Sequence, residues 1–334
     1  MTVIINYIVN KSILKDFFMK IQEIARLANV STATVSRVFS RHPNVRPEVR
    51  DAVLEVARKY NYRPRLSGKQ KNVVLITPYK QLYPAAEFVE MVTSELIQQL
   101  SPAGFRIETV PHDNLSRLSE ISFCGAVGIG IDPPADWDEW FGMPLVIIDK
   151  VPLPGKQYRG VSFVHSDEAQ GMMLAIEHLA ARKCRKVGAI IHGTPGIGNV
   201  EIRRQGILQA LEKCGLPTQE NLVRIAQMEN FFEEMGKLLQ QKIDGVFCCG
   251  GGNIGGMAAY SLNLYNRRIP EDIKLVSSER HRISCYCIPA QTTISPDYEK
   301  LACCVVEQLK SLLENSGNAV EISLPYNLIV REST

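Results

Sequence analysis

Met19-Lys20-Ile21-Gln22-Glu23-Ile24-Ala25-Arg26-Leu27-Ala28-Asn29-Val30-Ser31-Thr32-Ala33-Thr34-Val35-Ser36-Arg37-Val38-Phe39-Ser40 is the stretch whose reading decides the N-terminal fold. Apolar residues fall at 21, 24, 25, 27 and 28, then at 30, 35, 38 and 39. That spacing predicts two amphipathic helices interrupted at Asn29-Val30. Ser31 suits the N-cap of the second helix, where its hydroxyl can accept an otherwise unpaired amide of the first turn. With Val35 and Val38 turned inward, Thr32, Ala33, Ser36 and Arg37 face outward. Small residues followed by an arginine fit a helix that enters a groove, so the pair reads as a DNA-binding helix-turn-helix. A solvated helix pair would show the same periodicity, and the flanking residues separate the two readings.

Pro47-Glu48 opens a third helix, proline being tolerated at a first helical position. Val49, Val53, Leu54, Val56 and Ala57 supply its apolar face, and Asn61-Tyr62-Arg63-Pro64 closes it. Charge divides along the same line. The whole chain carries +3, yet residues 19–71 hold twelve Lys/Arg against four Asp/Glu, whereas residues 72–334 hold twenty-four against thirty. A basic head on a mildly acidic body predicts a polyanionic partner for the head alone.

Residues 19–64 resemble the headpiece of the lactose/galactose repressor (LacI/GalR) family. The likeness lies in Ile24-Ala25, Ala28-Asn29-Val30-Ser31, Thr34-Val35-Ser36-Arg37-Val38 and Tyr62-Arg63-Pro64. It implies a transcriptional regulator, expected to be a homodimeric repressor, with a double-stranded DNA operator as partner. Thr32, Ala33 and Arg37 are then expected to read bases, and Ser31, Thr34 and Ser36 to meet phosphates. Headpieces of the family begin near Met19, so residues 1–18 are expected to be an extra, disordered segment, or Met19 to be the start.

From Val73 onward, short apolar runs alternate with helical patterns. Strands are predicted at 73–77, 106–110, 125–129, 144–148 and 160–164, with a helix at 88–100. The series restarts with helices near 168–182, 201–214, 231–241 and 257–265 and strands near 186–191, 222–225, 245–249 and 274–278. Such alternation implies parallel sheets covered by helices, and the restart near residue 164 implies two similar lobes. The fold class is therefore α/β: a three-helix headpiece (19–64), a short linker (65–72), and a two-lobed body (73–334) like the periplasmic binding proteins. Lobe 1 is expected to comprise about 73–163 and 292–322, and lobe 2 about 164–291 and 323–334. In open parallel sheets ligands sit beyond the carboxyl ends of the strands. That rule nominates Thr77, Asp149, the loop His192 to Asn199, the loop Gly250 to Asn253, and Glu279.

An enzyme could use the same crevice. Gly250-Gly251-Gly252-Asn253-Ile254-Gly255 fits the dinucleotide fingerprint between a strand and a helix. It lies deep in the chain, however, and Glu279 is too far on to be the expected ribose acid. His192 to Gly198 lacks the Gly-Lys-Ser/Thr of a phosphate loop. No nucleophile–base spacing stands out, so no catalytic residue, cofactor or metal ligand is predicted. The nine cysteines include Cys248-Cys249 and Cys303-Cys304 inside apolar runs and show no metal-binding spacing, which reads as thiols in a reducing cytoplasm. No Lys or Arg precedes Lys11, no small-residue cleavage site follows, and no apolar run is long enough to span a bilayer. No membrane partner is expected.

The family resemblance extends over the body and nominates an effector site, expected to hold a sugar or sugar derivative. By that match Arg203 in Arg203-Arg204-Gln205-Gly206-Ile207 is the effector arginine, Asp149 accepts from ligand hydroxyls, Phe231 packs its ring on the effector, and Glu279 stands where the family has an aspartate. The run Pro289-Ala290-Gln291-Thr292-Thr293 matches the family's crossover strand. Two departures stand out. Gly250-Gly251-Gly252 replaces an Asn-Asp pair and Ala85-Ala86 replace bulkier residues, which leaves an effector larger than a simple monosaccharide, or an altered or lost effector response, as the alternative readings. Between Pro64 and the first strand only Arg65-Leu66-Ser67-Gly68-Lys69-Gln70-Lys71-Asn72 intervene, barely two turns if helical, so the family's DNA-kinking hinge helix is not expected.

Overall fold

Helix α1 (Ile21–Leu27) ends in a chain reversal built from backbone hydrogen bonds. Asn29 takes the left-handed conformation at φ 53°. Its amide donates to Arg26 O, and the Val30 amide reaches back to Ala25 O, the double closure of a Schellman turn. The chain then enters α2 (Thr32–Phe39), with the Ser31 hydroxyl accepting from the Thr34 amide at 3.0 Å. Helix α3 (Pro47–Lys59) covers both. Ile24, Ala25, Val35, Val38, Val45 and Val53 form the small core. Phe39 and Tyr62 close its edge with ring centroids 5.7 Å apart. This is the predicted three-helix headpiece.

The computed structural model describes residues 20–39, 44–60, 62, 71–78, 87–119, 121–135, 137, 143–196, 199–251, 253–278, 283–314 and 319–334. The extra segment 1–18, most of the linker, Ala85-Ala86 and Glu279 lie outside them.

The body contains two six-stranded sheets of the same winding. The first holds β1 (Asn72–Thr77), β2 (Arg106–Pro111), β3 (Gly125–Ile129), β4 (Leu145–Ile148), β5 (Val161–Ser166) and, from the end of the chain, β11 (Glu321–Leu324), in the order β11-β5-β4-β3-β1-β2. The second holds β6 (Val187–His192), β7 (Val223–Ala226), β8 (Gly245–Cys249), β9 (Lys274–Ser278), β10 (Thr292–Ser295) and β12 (Asn327–Ile329), in the order β12-β10-β9-β8-β6-β7. Every pairing is parallel except β10 with β12. In each lobe the first five strands therefore run 2-1-3-4-5, a doubly wound order whose direction reverses between the first and third strands.

The helices cover these sheets as the apolar runs require. Helix α4 (Glu87–Leu100) packs on the first sheet. Helices α5 (Glu168–Ala181), α6 (Val200–Lys213), α7 (Phe231–Leu239) and α8 (Ile254–Leu264) pack on the second. Helix α9 (Tyr298–Leu313) returns to the first sheet beside α4.

The chain passes between lobes three times, and the expected boundaries shift accordingly. The first passage follows Ser166, because β5 stays in the first sheet to that residue. The second follows Ser295 rather than Gln291, because Thr292 pairs with Val276 and completes the second sheet before the chain leaves it. The third follows Leu324. No helix among the described residues is long and apolar enough to cross a membrane.

Candidate functional site

Among the described residues, two surfaces carry the nominated polar side chains. The first is the outer face of α2. Ser31, Thr32, Ala33, Ser36 and Arg37 are exposed and Thr34 is half-buried, while Val35 and Val38 are buried beneath them. The capping serine has a second role, since its hydroxyl lies 2.9 Å from that of Thr34. That contact organises the end of the helix which a groove would receive. All six nominated residues thus share one end or face of a short, rigid element.

The second is the carboxyl edge of the second sheet. The reversal of strand order lies between β6 and β8, so His192 and the turn after Cys249 flank the natural ligand crevice. Gly250 adopts φ 125°, and a Cβ there would meet the His192 carbonyl at 2.7 Å. A Cβ on Gly255 would lie 2.3 Å from Gln291 Oε1 and 2.6 Å from Ser277 Oγ. Close packing therefore accounts for the first and last glycines of the fingerprint-like run. Burial lowers the His192 pKa, against a backbone hydrogen bond to Gly251 and the Glu229 charge, which raise it; Arg203 lowers it further. The imidazole is thus neutral near pH 7 and can both donate and accept. Beside it, Gln227 Nε2 donates to Thr194 Oγ1 at 3.1 Å, and the Asn230 side chain accepts from the Gln227 amide at 2.8 Å.

Arg203 reaches this edge from α6 and is only 8% exposed. The Nε–Nη2 edge of its guanidinium is occupied. Nε donates to Glu168 Oε2 at 2.8 Å, Nη2 donates to Oε1 at 2.9 Å, and the Tyr326 hydroxyl donates to Oε1 at 3.0 Å. Burial alone would lower the arginine pKa, but the charge and hydrogen bonds of Glu168 hold it well above its ordinary value. Neither Glu168 nor Tyr326 lies in a motif that marks it along the chain. The only hint was an acid and a tyrosine placed just after lobe-crossing strands.

The remaining nominations divide. Asp149 stands half-buried at the end of β4 in the other lobe, in the left-handed conformation at φ 63°, with its amide bonded to Val164 O. Phe231 is a correction. As the first residue of α7 it turns onto the sheet and is fully buried among Ile190, Leu222, Met235 and Val246, so its ring has no open face for an effector. The neighbouring Phe232 is the half-exposed ring and contacts Tyr260 edge-on at 5.7 Å. Glu279 lies outside the described residues.

Comparison with known proteins agrees with both parts. Residues 20–65 match the model of "Bacterial regulatory proteins, lacI family", and residues 176–334 match the "Periplasmic binding protein-like domain". The chain therefore carries a lacI-family DNA-binding domain followed by a periplasmic-binding-protein-like domain. The chain is 25% identical to "Probable HTH-type transcriptional repressor ExuR" of Bacillus subtilis, over 94% of the chain and 97% of that protein. It is likewise 25% identical to the ribose operon repressor of Halalkalibacterium halodurans, covering 94% and 96%. Among solved structures, the transcriptional regulator CelR–cellobiose complex superposes with TM-score 0.69 at 23% identity, over 95% of this chain and all of that one. The lac repressor dimer bound to operator gives 0.65 at 18% identity, over 95% and 99%. The two structural likenesses establish the fold; the family matches make the chain a DNA-binding transcriptional regulator of helix-turn-helix type.

Proposed function

We propose that this regulator is a homodimeric repressor whose headpieces occupy successive major grooves of a near-palindromic operator, and whose body closes on a small sugar-like effector. The observation that carries the reading is the pairing of an exposed α2 face with a body whose two sheets share one winding. Thr32, Ala33 and Arg37 are the base readers in this proposal, and Ser31, Thr34 and Ser36 the phosphate contacts. Asp149 from one lobe and His192 from the other are the polar groups offered to the effector. A sugar is favoured because solved neighbours hold cellobiose and ribose and because the edge at His192 presents neutral donors and acceptors. An effector acts only if it prefers one lobe arrangement.

A second reading, an altered effector response, is favoured by one observation: the arginine expected to grip the effector is already gripped by Glu168. Genome-wide footprinting of the bound DNA tests the main proposal. The expected result is a small set of near-palindromic sites, released or tightened in vitro by a sugar related to the flanking genes. Scattered occupancy without a shared half-site would overturn it.

A further inference from the structure

The Arg203–Glu168 pair is a built feature. Glu168 sits in the first turn of α5, just past the first passage between lobes, Arg203 on α6, and Tyr326 on the third passage. Gly206, one turn after Arg203, faces α5 where the two helices pack: a Cβ there would stand 3.3 Å from the Met172 side chain and 3.5 Å from Ala169 Cα, a tight but not prohibitive contact. That packing lays the guanidinium over Glu168. The segment carrying Tyr326 is tied to the same turn, since its amide donates to Gln170 Oε1 at 2.8 Å and the Asp167 amide donates to Leu324 O at 2.8 Å. Arg203 remains close enough to the strand ends to act electrostatically on His192 and Cys249.

We propose that Glu168 sets the charge class of the effector. Its carboxylate takes the Nε–Nη2 edge of the guanidinium with the bidentate geometry that a ligand carboxylate would adopt. The pair is neutral as a whole, and a second carboxylate brought to Arg203 meets the like charge of Glu168. The cleft is therefore matched to an uncharged polyhydroxylated molecule and closed to sugar acids. Removing Glu168 should open that edge of the guanidinium to an external carboxylate. The inference rests on the reading of this edge as an effector cleft.

The test uses the full-length protein with Glu168→Ala and Glu168→Gln, each alone and combined with Arg203→Ala, all checked for folding by operator binding. Acetate, which replaces the deleted carboxylate group, should raise the melting temperature of Glu168→Ala more than chloride at equal ionic strength, and leave the double variant unmoved. Calorimetry with glucuronate and galacturonate should then show binding to Glu168→Ala and Glu168→Gln at least about tenfold tighter than to wild type, a gain of one decade in Kd. Adding Arg203→Ala should abolish it.

Uronate binding to the wild type as tight as to the single variants would overturn the proposal. So would acetate rescue without any uronate binding, which would place the pair outside the cleft. The neutral parents, glucose and galactose, and the disaccharide cellobiose are titrated in parallel. If uronates bind the Glu168 variants, the cleft is real whatever the neutral sugars do. If neutral sugars bind and uronates never do, only the charge-class proposal fails. If nothing binds any of the folded proteins, the effector reading fails with it.

Discussion

At the scale of single residues, Arg37 and Arg203 show how one side-chain type serves opposite ends. Arg37 is exposed on α2, where a guanidinium can form two hydrogen bonds to a guanine edge. Such a pair discriminates against the wrong base by about 1–3 kcal/mol. Arg37→Ala is therefore expected to relax preference at one base pair per half-site, measured by competition binding against an operator library. A uniform loss over all sequences would make it a phosphate contact instead. Arg203 has the same chemistry but is buried against Glu168 at 2.8 Å. Truncating one member of a buried pair strands the other charge and costs about 3–5 kcal/mol, whereas replacing both by apolar groups can be neutral. Glu168→Leu is thus expected to lower unfolding free energy by that amount, and Arg203→Met with Glu168→Leu to recover most of it, read from urea unfolding.

At the scale of elements, one joint lies between the lobes and another between the headpiece and the body. One is the packing of α5 beneath the third passage. A Cβ on Gly171 would stand 2.7 Å from the body of the Tyr326 ring, which has no flexible end to yield. Gly171→Ala should cost about 1–3 kcal/mol through overpacking, and the additional Tyr326→Leu should relieve part of it. A thermal melt unchanged by Gly171→Ala would show that the ring is not held there. The other joint is the linker, residues 65–72, in whose sequence Ser67-Gly68 weighs against a stable helix around Leu66. We expect operator DNA bound by this regulator to be bent less than a minor-groove wedge would bend it. Circular-permutation gels check this directly, and a large kink centred on the operator would contradict it.

At the scale of the whole molecule, charge and protonation set the conditions of function. The head carries a balance of +8 and the remainder after residue 71 a balance of −6, so DNA affinity should fall steeply with salt, each neutralised phosphate adding about −0.9 to the log–log slope. Stability should depend on pH through two histidines. Burial, assisted by Arg182, lowers the His178 pKa, and burial outweighs the opposing groups at His192. A histidine whose folded pKa is depressed binds fewer protons than its unfolded counterpart, so stability rises with pH across that window. The contribution is present above the unfolded pKa, about 6.5, and is lost as pH falls from there through the folded value. Urea midpoints should therefore drop on going from about pH 7.5 to about pH 5.5. Substituting both histidines by asparagine should flatten that part of the profile; an unchanged slope would assign it to other groups.

Much of this was legible along the chain because hydrophobic periodicity is local. The headpiece needed only Val35, Val38 and their neighbours at helical spacing, a turn at Asn29 and a cap at Ser31, all within about two turns of one another. The strands of the body announced themselves by short apolar runs, and three of them, Gly125–Ile129, Gly245–Cys249 and Lys274–Ser278, coincide with the prediction to the residue. Tertiary structure alone decided which way Phe231 faces, because a ring at the start of a helix can turn to the sheet or to the crevice without changing the pattern. It decided that Thr292–Ser295 completes the second sheet, because that depends on pairing with β9. It also decided what Arg203 holds. The motif around Arg203 marks a guanidinium at the crevice, but its partner lies thirty-five residues earlier on another helix, and only the close passage of α6 over α5 brings the two charges together.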